Sequence, residues 1–496
     1  MGMLGLARIM SMKRRRRRRI QADGSSALDM GRKDSRSRSG SAKRRGPHLT
    51  LDRLPQIIAL LPMQDAARAA CASLELLQSW RHYPELKFSA KTLAMDGQHN
   101  CIQGQMDSYI KRIDIALQNC TGGWVKRFRF ELQFFHELSA HHINHWLDAA
   151  IPGIEELTLE LPRDDKMKYK FPCKLLFEKG CSIQSLCLYS CAFHPDQGAC
   201  SFRNLKRVYF SLVHITTEEL WIFLYNSLSL EHLELGFCHK IACLKIPCTL
   251  QLHNFLRVRR CNMLQIILPT VAPNVETLFL MSANEAGIFY PLIFQPHGRF
   301  LHLKYLELVI VGPRNYGFGY QYTYLVTFLK ASPVLETFIL HVEESAKEPY
   351  PLVINPKYLK NHLLPEHCHQ SIKHVTVTGF CHTQELVELI FYILENATSL
   401  QCLTLDNRIR GFEKDLVACI TQDAGTCDYQ EWWKNFGAKE TILHFFRRES
   451  YPKSYWDAYC SYVAIRKYII GRVPSSVELK IYQLCLLMKL YPVFQR

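Results

Sequence analysis

The sequence lacks the features that mark secreted and membrane-spanning proteins. It has no charge-free run of about 18 apolar residues, which a spanning helix needs, and at its start a basic run follows the apolar residues, the reverse of a secretory signal. Its 19 cysteines form no Cys-x-x-Cys pair, so we expect buried, reduced thiols. We therefore expect a protein of the nucleus or cytoplasm, with no membrane partner.

Motifs of common catalytic centres are absent as well. The sequence has no G-x-S-x-G elbow, no Walker loop and no G-x-G-x-x-G turn. His136, His141, His142 and His145 lie close together, but Ala140 stands where a zinc-binding H-E-x-x-H helix needs its second histidine. We expect these histidines to be exposed or partly buried, and we expect no metal site, no cofactor and no enzymatic activity.

Positive charge is concentrated in residues 1–48. This segment holds 15 Lys and Arg against 3 Asp, so it carries +12 of the net charge of +16. Such crowding of like charges predicts a disordered tail. We interpret its basic residues as a nuclear localisation signal, with non-specific attraction to nucleic acid or a plain solvated tail as alternatives. These residues are Lys13, Arg14, Arg15, Arg16, Arg17, Arg18, Arg19, Lys43, Arg44 and Arg45. The near-neutral remainder argues against nucleic acid as a partner of the folded part.

The stretch 49–88 has the pattern of three short helices. Pro62 ends the first helix, because proline lacks an N–H group, and Asp65 is expected to cap a second helix over residues 66–71. So small a unit cannot bury all of its apolar side chains, which predicts a partner. The apolar residues at helical spacing are Leu54, Ile57, Ile58 and Leu61 in the first helix and Leu74, Leu76, Leu77 and Trp80 in the third.

The segments LLPMQDAARAAC and SWRHYPELKF within this stretch resemble the F-box of plant F-box proteins. The resemblance implies that residues 49–88 bind a Skp-family adaptor, which links the chain to a cullin-type ubiquitin ligase. Residues 49–52 read LTLD where the family has a Leu-Pro pair before an acidic residue. The residues implied for adaptor binding are Leu54, Ile57, Leu60, Leu61, Pro62, Asp65, Ala66 and Trp80.

An apolar phrase, L-x-x-L-x-L, recurs from Val125 onward. Its starts are separated by 22 to 37 residues, and the shorter intervals match leucine-rich repeats. Cys191, Cys238 and Cys261 lie where such repeats place Asn or Cys. The second and third apolar residues of each phrase should face a shared core, as alternate residues of a strand do. The phrases start at Val125, Ile154, Ile183, Leu205, Leu230, His253, Val275, Leu303, Leu335, Ile372 and Leu400.

These patterns predict an α/β fold: a short helical F-box, then a leucine-rich-repeat solenoid with a curved parallel sheet and helices or loops on its convex side. Helices are expected over 216–226, 324–330 and 382–396, with Thr216 or Thr217 as a cap. Residues 464–479 resemble the closing segment of plant F-box proteins with an FBD-like C-terminus, with a helix that ends near Gly471 and a strand over 476–481. The predicted domains are 1–48 (tail), 49–88 (F-box), 100–410 (repeats) and 411–496 (an insertion, irregular over 408–452, and the FBD-like cap).

The sequence thus predicts a substrate-recognition subunit of a cullin-type ubiquitin ligase. Residues 49–88 would bind the adaptor, and the repeats would bind an unidentified target protein. The main alternative is a leucine-rich-repeat scaffold with a degenerate F-box and no ligase. A nuclear protein that associates with nucleic acid through its basic tail is a further alternative.

Overall fold

The computed structural model describes parts of the chain in two compact units, which are taken separately below: 1–205 and 206–496. The predicted tail, its basic residues and the 49–52 opening lie outside the described residues. Among the described residues, no helix has both the length and the apolar character that crossing a membrane requires. The described residues are 53–93, 103–119, 125–133, 135, 138–163, 169–180, 182–195, 202–247, 250, 252, 254–259, 272–281, 298–313, 325–345, 368–381, 383–406, 417–421 and 461–484.

The first unit begins with three short helices, as predicted: α1 (Leu54–Leu60), α2 (Met63–Ala69) and α3 (Leu74–Trp80). Helix α1 ends before Pro62, at an extended Leu61. Helix α3 begins at Ser73, whose hydroxyl accepts a hydrogen bond of 3.2 Å from the Leu76 N–H. This cap satisfies one backbone donor that the first turn would leave unpaired.

The prediction that Asp65 caps a helix over 66–71 is wrong. The carbonyl of Pro62 accepts backbone hydrogen bonds from Asp65 and Ala66 at 2.9 and 3.0 Å, so the helix begins at Met63. Asp65 therefore lies inside the first turn, where its carboxylate forms an ion pair of 2.8 Å with Arg68. A carboxylate at this position is favourable because it faces the positive end of the helix dipole.

Four parallel strands follow in the first unit, each paired with the next. They are β1 (Glu85–Phe88), β2 (Arg127–Glu131), β3 (Glu156–Glu160) and β4 (Ser185–Tyr189), and the helices between them are α4 (Gln103–Asn119), α5 (Ala140–Ala150) and α6 (Cys173–Lys179). The predicted inward residues are buried, including Phe128, Phe130, Leu157 and Leu159. The repeat phrase therefore marks the strands of a parallel sheet.

Strand β1 lies inside the segment that was predicted as an F-box. Its Leu86 and Phe88 are buried in register with Phe128 and Phe130 of β2, so residues 85–88 belong to the sheet. The predicted repeats begin one repeat too late, because the interval with the 17-residue helix α4 separates β1 from the next phrase. The repeat array thus follows directly on the three short helices.

The second unit continues the same pattern. Strands β5 to β12 are parallel, β14 is parallel to β12, and β13 pairs antiparallel with β14. The strands are β5 (Arg207–Ser211), β6 (His232–Gly236), β7 (Phe255–Arg259), β8 (Thr277–Met281), β9 (Tyr305–Pro313), β10 (Thr337–Ser345), β11 (His374–Thr378), β12 (Cys402–Asp406), β13 (Val417–Thr421) and β14 (Glu478–Leu484). The helices are α7 (Thr217–Tyr225), α8 (Leu325–Ala331) and α9 (Gln384–Asn396). The leucine-rich-repeat fold predicted from the sequence is confirmed.

The predicted helix cap is confirmed at α7. Thr216 accepts a hydrogen bond of 3.2 Å from the Glu219 N–H, and the Glu219 carboxylate accepts one of 2.8 Å from the Thr216 N–H. This reciprocal capping box fixes the start of the helix. The C-terminal prediction is close as well, since a helical segment ends at the 3-10 turn Ile470–Arg472 and β14 follows.

The prediction that 408–452 is irregular is wrong at Val417–Thr421, which forms β13. The strand was missed because it pairs antiparallel and carries no copy of the repeat phrase. Antiparallel pairing on β14 adds an outer strand beyond the parallel part of the sheet.

Left-handed backbone recurs where the chain leaves a strand. Ser190, Leu212 and Phe237 follow β4, β5 and β6 with φ of 58°, 56° and 54°, and Gly379 follows β11 with φ of 67°. Cys191 and Cys238 come directly after two of these turns and are fully buried, as the repeat prediction requires. The Cys238 thiol donates to the Gly236 carbonyl at 3.4 Å and ties the turn to the strand before it. Cys261 lies outside the described residues.

A row of alternating charges precedes the strands. Lys126 pairs with Glu155 at 2.8 Å in the first unit. In the second unit the pairs are Lys206–Glu231 at 3.6 Å, Lys304–Glu276 at 3.5 Å and Lys373–Glu336 at 3.0 Å. Each charged residue stands at the second position of its repeat phrase, so the ion pairs join neighbouring repeats.

Candidate binding surfaces

The three short helices have a small core of their own. Ile58, Met63, Ala66 and Trp80 are buried, and the Trp80 ring stacks on Tyr83 with 4.9 Å between centroids. Ala66 and Trp80, both named as adaptor-binding residues, therefore support the surface from beneath. Their part in adaptor binding stays a prediction.

The other predicted adaptor residues are accessible. Leu60 is 85% exposed and Ile57 is 37% exposed on α1, and Leu74 is 55% exposed on α3, which packs against α1. Pro62 and Asp65 are exposed, whereas Leu54 and Leu61 are half-buried. We call Ile57, Leu60, Pro62, Asp65 and Leu74 the helical surface. Leu74 is a member that the predicted site did not include.

In the first unit, the open face of the sheet is a charged network that neutralises itself. Arg127 and Arg129 form ion pairs with Glu85 at 3.2 and 3.3 Å, and Lys87 forms one with Glu131 at 2.5 Å. Burial and the neighbouring Glu131 carboxylate raise the pKa of Glu160 on β3. Such pairs order the side chains of this face but each contributes only about 0–1 kcal/mol.

In the second unit, the open face carries an arginine between two aromatic rings. The guanidinium carbon of Arg257 lies 4.5 Å from the Phe279 ring centroid and 5.2 Å from that of Phe255. Phe279 is opposite Arg257 in the register of β7 and β8, and Glu234 is opposite on β6. We call Glu234, Phe255, Arg257, Arg259 and Phe279 the arginine cluster.

A glycine makes room for the second arginine of the cluster. Gly236 is the β6 partner of Arg259, and a Cβ atom there would lie 3.3 Å from the Ser211 Oγ and 3.7 Å from the Arg259 Nε. With no side chain at 236, Arg259 lies across the strand and donates a hydrogen bond of 2.7 Å from Nη2 to Glu234. Glu234 is 14% exposed, so it is largely covered by the two arginines that it holds.

A hydrogen-bonded chain of side chains lies on the next three strands. Tyr305 donates to Glu307 at 3.0 Å, and His341 Nε2 lies 3.1 Å from the other carboxylate oxygen. His341 Nδ1 lies 2.5 Å from the Thr378 hydroxyl. Burial and the bond to Glu307 raise the pKa of Tyr305 to about 12. This chain connects β9, β10 and β11 across the face.

The predicted histidine cluster is only partly described. His141 and His145 are exposed and His142 is half-buried on α5, as expected, and the His141 and His142 rings are 5.8 Å apart; His136 lies outside the described residues. Within the part of the chain that the structure describes, no three His, Cys, Asp or Glu side chains are grouped to hold a metal ion.

Sequence reasoning named no residue of the arginine cluster. A signal existed, because Glu234, Arg257 and Phe279 all stand at the fifth position of consecutive phrases, between two buried residues. Reading that position down the repeats would have placed them side by side on the open face.

A parallel sheet built from a repeated phrase, with connecting helices and left-handed turns after the strands, defines a leucine-rich-repeat protein. Residues 116–268 and 266–486 match the family described as At1g61320/AtMIF1, LRR domain, and the chain belongs to that family. The second matched segment extends through the described part of β14.

No curated protein matches the chain. A crystal structure of a leucine-rich repeat protein from Bacteroides thetaiotaomicron VPI-5482 is similar at 14% identity and a TM-score of 0.30. That similarity covers 66% of this chain and 41% of the bacterial chain, so the chain spans less than half the length of that protein.

Proposed function

We propose that the protein is a substrate-recognition subunit of a cullin-type ubiquitin ligase. The helical surface would bind a Skp-family adaptor, and the repeats would hold a target protein. The chain would supply no catalytic group, since holding a target lysine near the ubiquitin-conjugating enzyme raises its effective concentration. The exposed Leu60 is the observation that carries the proposal.

Leu60 supports a docking role because its exposure is unusual for its size. A leucine that is 85% exposed gains about 1.5–3 kcal/mol when a partner buries it fully. Ile57, one turn earlier on α1, enlarges the apolar area beside it, and Leu74 is a further exposed apolar side chain on α3, which packs against α1. Exposed apolar groups that cluster in this way are typical of protein interaction sites.

The test is capture of a purified plant Skp-family adaptor by the full chain. We expect Leu60→Asp to weaken adaptor binding at least tenfold while the circular dichroism spectrum and melting temperature stay unchanged. Leu301→Asp is the matched control, because Leu301 is also exposed, at 54%, but lies in the second unit. Wild-type protein that does not bind the adaptor, or Leu60→Asp protein that binds as well as wild type, would contradict the proposal.

A second candidate function is a leucine-rich-repeat scaffold that binds a protein without a ligase. Family membership supports this function, since the matched residues are those of the repeats. A folded wild-type chain that captures no adaptor but retains a protein partner would favour it.

The basic tail would direct the protein to the nucleus in either case. Deletion of residues 1–48 is expected to move a fluorescent fusion from the nucleus to the cytoplasm. Restoring an unrelated nuclear localisation signal to the deleted chain should return it to the nucleus. Fluorescence that stays in the nucleus after the deletion would show that the tail is not the targeting element.

A further inference from the structure

The open face of β5 to β8 carries more positive than negative side chains. Its outward positions hold Arg207, Arg257 and Arg259 against one carboxylate, Glu234. Glu234 lies 2.7 Å from Arg259 and 3.7 Å from Arg257. Glu234 therefore makes its closer contact with Arg259, and its contact with Arg257 is the weaker of the two.

Among the residues that the structure describes, Arg257 is held by two aromatic rings and a long ion pair. Its distance of 3.7 Å to Glu234 exceeds a hydrogen bond, and within the described residues its buried Nε has no partner. The two phenylalanine rings contact the guanidinium instead and restrict its movement. An arginine ordered in advance loses less side-chain entropy on binding than a mobile one.

The side chain remains accessible at its outer end, since 33% of it is exposed. A guanidinium presents parallel N–H groups that match the two oxygens of a carboxylate. Other outward residues of these strands are uncharged, including Ser211, Thr277 and Met281. The face therefore suits one or two carboxylates better than the continuous row of phosphates in a nucleic acid.

We infer that the arginine cluster binds a carboxylate side chain in an acidic segment of a partner protein. Arg257 donates to both carboxylate oxygens, while Glu234 keeps its closer contact with Arg259. This inference deepens the proposed function and rests on it, because it names the chemistry of the partner that the repeats hold.

The experiment selects random dodecapeptides displayed on phage against the full chain, with counter-selection against the Arg257→Gln variant. Enriched peptides are synthesised, and their dissociation constants are measured by fluorescence anisotropy. We expect the peptides to share an Asp or Glu, whose change to Asn or Gln weakens binding at least tenfold. Arg257→Gln should cause a similar loss, and the two losses should not add, because both changes remove the same contact.

Two variants separate this contact from general charge. Lys373→Gln also removes one positive charge from the second unit, at the ion pair with Glu336, and should leave affinity within twofold of wild type. Arg257→Lys keeps the charge but lacks the planar fork, so it should restore binding only in part. Equal losses in Arg257→Gln and Lys373→Gln would overturn the inference.

The peptide selection and the binding assays have further outcomes that test the inference. Peptides without a shared acidic residue, or no enriched peptide, would overturn the inference, as would Arg257-dependent binding of an oligouridylate RNA in place of peptides. Adaptor capture depends on the helical surface in the other unit, so the two proposals fail separately. A chain that captures the adaptor but selects no acidic peptide contradicts only this inference.

Discussion

The hydroxyl of Tyr83 donates a hydrogen bond of 2.7 Å to the carbonyl oxygen of Leu61. This bond joins the end of α1 to the segment just before β1, and the Tyr83 ring stacks on Trp80 at the end of α3. The Tyr83 side chain thus connects α1 and α3 to the start of the sheet.

Tyr83→Phe should loosen the helical surface without changing its composition. The substitution keeps the stacked ring and removes one partly buried hydrogen bond, which contributes about 0.5–1.5 kcal/mol. We expect faster amide hydrogen exchange in α1, measured by mass spectrometry, and unchanged exchange in β6 to β9. Unchanged exchange in α1 would show that the bond does not order this helix.

Gly379→Ala should destabilise the second unit. A Cβ atom at this residue would lie 2.0 Å from the Val342 carbonyl oxygen, and its φ of 67° adds strain for a residue that carries a side chain. The expected loss is roughly 2–4 kcal/mol, from the left-handed conformation and the overlap together. Gly471→Ala is the control, because nothing lies within 4 Å of its Cβ position. Thermal unfolding should separate the two variants, and equal melting temperatures would contradict the argument.

Thr216→Ala should weaken α7 by about 1 kcal/mol, since it removes the hydroxyl of the capping box. Thr383, the residue before α9, makes no side-chain capping bond. Thr383→Ala should therefore cost less than Thr216→Ala in a denaturant titration. A larger loss of stability in Thr383→Ala than in Thr216→Ala would mean that side-chain capping does not determine the stability of these helices.

Glu160→Gln should stabilise the first unit at neutral pH. The folded-state pKa of Glu160 is raised above its unfolded-state pKa. The Glu160 carboxyl therefore contributes its full stabilisation below the unfolded-state pKa and loses it as the pH rises through the folded-state pKa. The variant cannot ionise, so its melting temperature should exceed that of wild type at pH 7, and the difference should shrink by pH 4. Glu178→Gln, at an exposed carboxylate on α6, controls for the loss of one charge. A difference that does not change with pH would contradict this account.

The parts of the fold that the sequence predicted are those with a periodic cause. Phe128, Leu157 and Leu186 could be assigned to one core because every repeat must bury the same positions. A cap at Thr216 or Thr217 could be predicted because Glu218 and Glu219 follow in the first turn, and the structure places it at Thr216. Residues 85–88 were missed because the long interval that holds α4 separates them from the next phrase, and residues 417–421 because they pair antiparallel.

The candidate sites were harder to predict for a different reason. Outward residues such as Arg257 and Phe279 vary from repeat to repeat, so no period marks them, and their contact depends on the exact register of β7 and β8. The exposure of Leu60 and the burial of Trp80 depend likewise on how three short helices pack. Their helical spacing alone could not separate a docking residue from a core residue.

The row of charges before the strands limits how such an array can grow. Glu276, Lys304, Glu336 and Lys373 alternate in sign over four successive repeats. Copying one repeat beside itself would place like charges next to each other, whereas copying two neighbouring repeats would preserve the alternation. Duplication of an even number of repeats within this stretch is therefore favoured. For the same reason, a misfolded register in which each repeat is displaced by one position is disfavoured.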